Sequence, residues 1–136
     1  MPNSIRKLYP PIPPETERVG KLVLDAAYKV HTVLGPGLLE SVYQTAMKHV
    51  LQSGGVSVET EVKLPIMFEG VELASALRID TLVEKCVIAE LKSVETMNPV
   101  FEAQLITYLR LSKVRLGFLI NFNVPHLKGG IKRIVV

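Results

Sequence analysis

Asp80, Glu90 and Lys92 are the residues whose types and spacing point to chemistry. They lie in the stretch Arg78–Lys92, which reads as two strands joined by a tight turn near Glu84-Lys85. Side chains alternate faces along a strand, so Cys86, Ile88, Glu90 and Lys92 share one side of the second strand. Val87, Ala89 and Leu91 fill the other, apolar side. A turn centred on Lys85 sets Asp80 directly across from Glu90; a centre half a residue earlier leaves them neighbours. Two carboxylates so placed repel unless a cation lies between them, and hard oxygen ligands suit Mg²⁺ or Mn²⁺. Lys92, one pleat further on, stands where it can orient or activate a water. This is the outline of metal-dependent phosphodiester hydrolysis. A plainer reading competes with it: a solvated Glu-x-Lys face with a weak ion pair, and an aspartate that ends its strand. Asp80 is, however, one of only two aspartates in the chain, with Asp25, and its apolar neighbours make unpaired charge costly there.

The elements that must position these residues follow from periodicity. Residues 1–14 hold Pro2, Pro10, Pro11, Pro13 and Pro14 and read as an extended N-terminal arm; residues 15–136 read as a single domain. From about Glu15 a helical period sets Val19, Leu22, Val23, Ala26, Ala27, Val30, Val33 and Leu34 on one face, with Thr16 as the expected N-cap. Gly35-Pro36-Gly37 stops this helix. A second helix is expected from Leu38 to Gln52, its buried stripe formed by Leu39, Val42, Ala46, Met47, Val50 and Leu51, with Glu40 and Tyr43 on neighbouring surface positions. Val62, Leu64, Ile66 and Phe68 then alternate as an edge strand bearing Pro65. Glu69-Gly70 turns the chain, and Val71, Leu73, Leu77 and Ile79 alternate back to Asp80. With the strand bearing Glu90 and Lys92 this makes a three-stranded antiparallel meander. Asn98 as N-cap and Pro99 at the first helical position open another helix to about Leu111, on which Gln104 and Tyr108 share a face. Val114–Asn121 reads as a strand buried on both faces, and Ile131–Val136 as a last short one.

Composition narrows the class. The 136 residues are 48% hydrophobic and 21% charged, which describes one globular domain. No apolar run reaches the length of a membrane span, and a signal-peptide pattern is lacking. Cys86 is the sole cysteine, so an internal disulfide is excluded and a reducing cytoplasm is the expected setting. All 13 acidic residues lie at or before Glu102, whereas Arg110, Lys113, Arg115, Lys128, Lys132 and Arg133 follow it. A basic C-terminal third suits a polyanionic partner or is a scatter of solvated side chains.

The order of elements, with acid and acid-x-Lys on the meander, resembles the PD-(D/E)XK nuclease superfamily. Asp80 with Glu90-Leu91-Lys92 looks like its D…ExK core, and Gln104-Leu105-Ile106-Thr107-Tyr108 like the QxxxY element of its exonuclease-like branch. Gly37-Leu38-Leu39-Glu40-Ser41-Val42-Tyr43 is similar to the GxxExxY motif that names a bacterial family within it. His31 before Gly35-Pro36-Gly37, and Asn121-Phe122-Asn123-Val124-Pro125, also look like that family, and the likeness covers roughly residues 17–136. The resemblance implies an α/β fold with a restriction-endonuclease-like core: two N-terminal helices, the meander, a helix, and further strands completing a mixed sheet. It implies Mg²⁺ or Mn²⁺ held by Asp80, Glu90 and the Leu91 carbonyl, with Lys92 positioning or deprotonating the attacking water. By the same likeness Glu40 completes the site, and Gln104 and Tyr108 orient substrate phosphate or the carboxylates. His31 is expected to be a packed or capping residue. Two positions depart from the family: Phe101 stands where a histidine is favoured, and Thr81 where an apolar residue is usual.

The function so implied is a divalent-metal-dependent nuclease acting on DNA or RNA. The alternative is a non-catalytic module of the same fold that binds nucleic acid or a protein. Clustered carboxylates favour the first, because without a metal they repel phosphate. A chain this small carries no evident recognition domain, so a homodimer or a protein partner is the expected source of specificity.

Overall fold

The computed structural model describes residues 9–136. In chain order it contains α1 (Pro14–Leu34), α2 (Glu40–Ser53), β1 (Val58–Phe68), β2 (Val71–Val83), β3 (Val87–Lys92), α3 (Pro99–Ser112), β4 (Leu116–Asn121) and β5 (Ile131–Val135), the last preceded by a short 3₁₀ turn, Leu127–Gly130. The five strands form one sheet in the order β1-β2-β3-β4-β5. β1, β2 and β3 are antiparallel neighbours, as the meander requires. α3 carries the chain over so that β4 runs parallel to β3, and β5 returns antiparallel. The result is the mixed α/β sheet of a restriction-endonuclease-like fold.

The sheet is buried on both faces, and the strands show it. Val87, Ala89 and Leu91 of β3 and Leu116, Phe118 and Ile120 of β4 pack against α1 and α2, while Ile88 and Leu119 meet Leu105 and Leu109 of α3. Close packing at two glycines brings the helices onto the sheet. A Cβ on Gly20 would lie 2.9 Å from Leu116, and one on Gly117 would lie 3.1 Å from Leu109. Asn98 caps α3 by accepting from the Val100 N–H at 2.9 Å, with Pro99 next, as the sequence predicts. β1 is an edge strand, and β2 pairs with β3 only over Thr81–Val83, so the outer part of the β1–β2 hairpin is a two-stranded arm. No helix of the described residues is long and apolar enough to cross a membrane.

Several local expectations change. α1 begins at Pro14 with Pro13 at its cap position, and Thr16 is a buried helical residue, not the cap. Its apolar face is consumed by the core as far as Val30; Val33 and Leu34 are exposed. Of the stripe expected on α2, Met47 and Leu51 are buried and Ala46 and Val50 pack against the core, but Leu39 and Val42 face solvent. Tyr43, expected on the surface, is buried and its ring stacks on Phe122 at 4.3 Å. Cys86 belongs to the β2–β3 turn, not to β3. Most of the arm expected over residues 1–14 lies outside the described residues; at its end the carbonyls of Pro10 and Pro11 accept from Arg115.

Candidate active site

The antiparallel ladder pairs Val83 with Val87, Leu82 with Ile88 and Thr81 with Ala89, so Asp80 and Glu90 are the next residues to face each other. There the backbone ladder gives way to side chains. The Asp80 N–H donates to Glu90 Oε1 at 3.2 Å, and the Leu91 N–H donates to Asp80 Oδ2 at 2.8 Å. Each carboxylate thus takes over a donor that a regular ladder would have used, and the strands part around a cavity of about 360 Å³. Asp80, Glu90, Leu91 and Lys92 line it from the sheet, Glu40 from the first turn of α2, and Gln104 and Tyr108 from α3. All seven residues singled out from the sequence therefore come to one place.

The electrostatics are unfavourable by design of the position. Burial, then the facing charge of Asp80, push Glu90 up to about 7. Burial also raises Asp80, against the opposing pull of the Leu91 N–H and the Gln44 amide. Desolvated carboxylates facing one another are short of a cation, and their donor set is hard oxygen throughout, which fits Mg²⁺ or Mn²⁺. Among the described residues no three His, Cys, Asp or Glu side chains lie close enough to cage a metal. The Leu91 carbonyl and solvent would have to complete the coordination of two acids.

Lys92 does not ion-pair with these acids in the structure; its ammonium sits 4.3 Å from the centroid of the Phe101 ring. The aromatic face attracts the cation electrostatically, so Phe101 is a direct contact of the lysine. Gln104 donates to the Tyr108 hydroxyl at 3.0 Å, one helical turn away. Glu40 is exposed at the cavity mouth and accepts from the Ser93 N–H at 3.4 Å.

Tyr43, although part of the same motif as Glu40, belongs to another structure. Its hydroxyl donates to Gly35 O at 2.6 Å and accepts from the Leu38 N–H at 3.2 Å, closing the Gly35-Pro36-Gly37 corner. His31 Nε2 lies 2.8 Å from Val124 O, a packed role as expected. The buried Asn121 side chain bonds both Val94 N and Val94 O, which pins the segment after Lys92.

Sequence reasoning missed Gln44, Glu61 and Arg78, which also line the cavity. Gln44 donates to Asp80 Oδ1 and, at 3.0 Å, to Asp80 O. Its four-residue spacing from Glu40, one turn along the same helix face, was the available signal. The basic C-terminal third is less free than its composition suggests. Arg133 pairs with Glu17 at 2.8 Å, Lys132 with Glu102 at 3.0 Å, and Arg115 is spent on backbone carbonyls.

A family model of the PD-(D/E)XK nuclease superfamily matches residues 17–134. Among solved structures, the crystal structure of SSO0001 aligns with a TM-score of 0.52 at 21% identity, covering 88% of this chain and 58% of that one. At that identity the likeness is one of fold, and the chain spans less than two thirds of that protein. No curated protein matches the sequence.

Proposed function

We propose that this chain, which belongs to the PD-(D/E)XK nuclease superfamily, is a Mg²⁺- or Mn²⁺-dependent nuclease that hydrolyses phosphodiester bonds of DNA or RNA. The observation that carries this reading is the pair Asp80 and Glu90, half-buried and face to face beside Lys92, with Glu90 raised to about 7. A binding module has no use for such a pair, whereas a divalent ion relieves it. We further assign the chain to the GxxExxY branch on the strength of Gly37, Glu40 and Tyr43, and to the cytoplasm on its single cysteine.

Asp80, Glu90 and the Leu91 carbonyl would hold the ion, which would supply charge against that building up at phosphorus and acidify the attacking water. Lys92 leaves the Phe101 ring to orient or deprotonate that water. Glu40, at the mouth, holds a water or the ion's outer shell. Gln104 and Tyr108, already bonded to each other, orient a substrate phosphate, with Arg78 as a further cation on the cavity wall. A homodimer or a partner protein is proposed as the source of specificity.

Calorimetric titration of Mn²⁺ or Mg²⁺, with a cleavage assay on mixed DNA and RNA, tests the proposal on wild type and Asp80→Ala. Saturable binding and cleavage by wild type are expected. Both should be lost in the variant, beyond the roughly 10–100-fold that removal of an outer-shell partner costs. A wild type that binds no divalent ion even with nucleic acid present would overturn the nuclease reading and leave the binding module.

A further inference from the structure

Five non-glycine residues among those described have positive φ: Glu61, Glu69, Glu84, Lys85 and Lys113. Four of them have ordinary reasons. Glu69 sits in the β1–β2 turn, Glu84 and Lys85 in the β2–β3 turn, and Lys113 is the left-handed C-cap of α3. Glu61, at φ 55°, lies in the middle of β1. A glutamate has no side-chain bond that favours this conformation, and such strain persists where the surroundings hold it for a purpose.

The surroundings of Glu61 supply the purpose. In the β1–β2 register Thr60 pairs with Thr81 and Val62 with Ile79, while the intervening position, Glu61 opposite Asp80, makes no regular pair. Ile79 and Leu82, three residues apart, both enter the cluster under α3, so strict alternation breaks between them, around Asp80. The Glu61 carboxylate then accepts on both oxygens: Oε2 from Arg78 Nε at 2.6 Å and Oε1 from Gln44 Nε2 at 3.3 Å. The same Gln44 amide reaches Asp80. Arg78, Glu61, Gln44 and Asp80 form one chain of contacts across β2, β1 and α2.

We propose that Glu61 is a positioning residue of the site: it holds the Gln44 amide on Asp80 and keeps Arg78 on the cavity wall. The strained backbone is what aims its carboxylate into the cavity. The consequence for metal affinity rests on the metal-dependent reading above; the placement of Gln44 does not.

The test uses Glu61→Gly, which adopts positive φ without a Cβ penalty, and Glu61→Asn as a second variant, since asparagine tolerates that region and is too short to span both partners. In metal-free full-length protein, the Gln44 side-chain amide of wild type should give shifted, slowly exchanging NMR signals. In either variant they should move to the position of a solvated glutamine while the thermal midpoint holds or rises. Affinity for Mn²⁺ alone, measured by calorimetry, should fall about 10-fold, at the low end of the cost of an outer-shell partner. A purely structural Glu61 would give the reverse: an unmoved Gln44 amide and unchanged Mn²⁺ affinity, and either result in a folded variant overturns the proposal when wild type binds Mn²⁺. If the amide is released but wild type binds no Mn²⁺, the positioning role stands and the metal-dependent reading falls.

Discussion

Tyr43 and Gln44 are adjacent on α2 and point into networks of opposite character. Tyr43 is fully buried, stacks on Phe122 with its ring tilted by only 6°, and has its hydroxyl satisfied by Gly35 O and the Leu38 N–H. Every polar atom there is paired and no charge is present. Gln44 faces Asp80 and Glu61, in a cavity where two partly desolvated carboxylates oppose each other. The first network lowers the free energy of the fold, and the second raises it. One helix thus binds a rigid corner on one side and carries a strained site on the other. Tyr43 seats α2, and seating α2 sets where Glu40 and Gln44 stand.

The sharpest way to break this contrast is at the corner. Tyr43→Ala removes the stacked ring and leaves Gly35 O and the Leu38 N–H without their partner, so urea denaturation should show a loss of about 3–5 kcal/mol, the range for truncating a buried aromatic residue. A loss below 1 kcal/mol would mean that the corner does not anchor the helix. At the cavity the sign reverses with pH. Glu90 is raised to about 7 in the fold, so the native protein keeps a proton that the unfolded chain gives up near 4.3. The contribution of Glu90 to the stability of the metal-free protein is therefore greatest below that unfolded value. It declines as pH rises to 7, by about 3 kcal/mol in total. Glu90→Gln should lack most of this slope and exceed wild type in thermal midpoint at pH 8 in chelator. Mg²⁺ should raise the wild-type midpoint most above pH 7. A wild-type midpoint that does not fall relative to Glu90→Gln between pH 5 and 7 would contradict a desolvated Glu90.

The register that joins Asp80 to Glu90 was legible because the tight turn, centred on Lys85, sets which residues face each other across β2 and β3. The convergence of Gln104, Tyr108 and Glu40 was legible through motif and helix spacing. What the sequence hid has specific causes. The burial of Tyr43 in place of its neighbour Val42 was hidden because its partner, Phe122, lies far along the chain. Glu61 was hidden because nothing in a glutamate's local sequence announces positive φ, and its side-chain partners, Arg78 on β2 and Gln44 on α2, are both 17 residues away. The partners of Lys132 and Arg133 lie 30 and 116 residues away. Counting charges along the chain therefore overstated the free basic surface.

Tyr108 refines the comparison at its mildest point. Like Tyr43 it is a motif tyrosine whose hydroxyl has a hydrogen bond, accepting from Gln104 at 3.0 Å. Unlike Tyr43 it lies on the open wall of the cavity, where water can replace that bond. Tyr108→Phe should therefore change stability by no more than about 0.5 kcal/mol, the range for exposed positions. If the pair orients phosphate, kcat/KM should still fall by about 10-fold, in proportion to one lost hydrogen bond to a charged group. A variant as active as wild type would remove Tyr108 from the site. A variant as unstable as Tyr43→Ala would move it to the side of the molecule that holds the fold together.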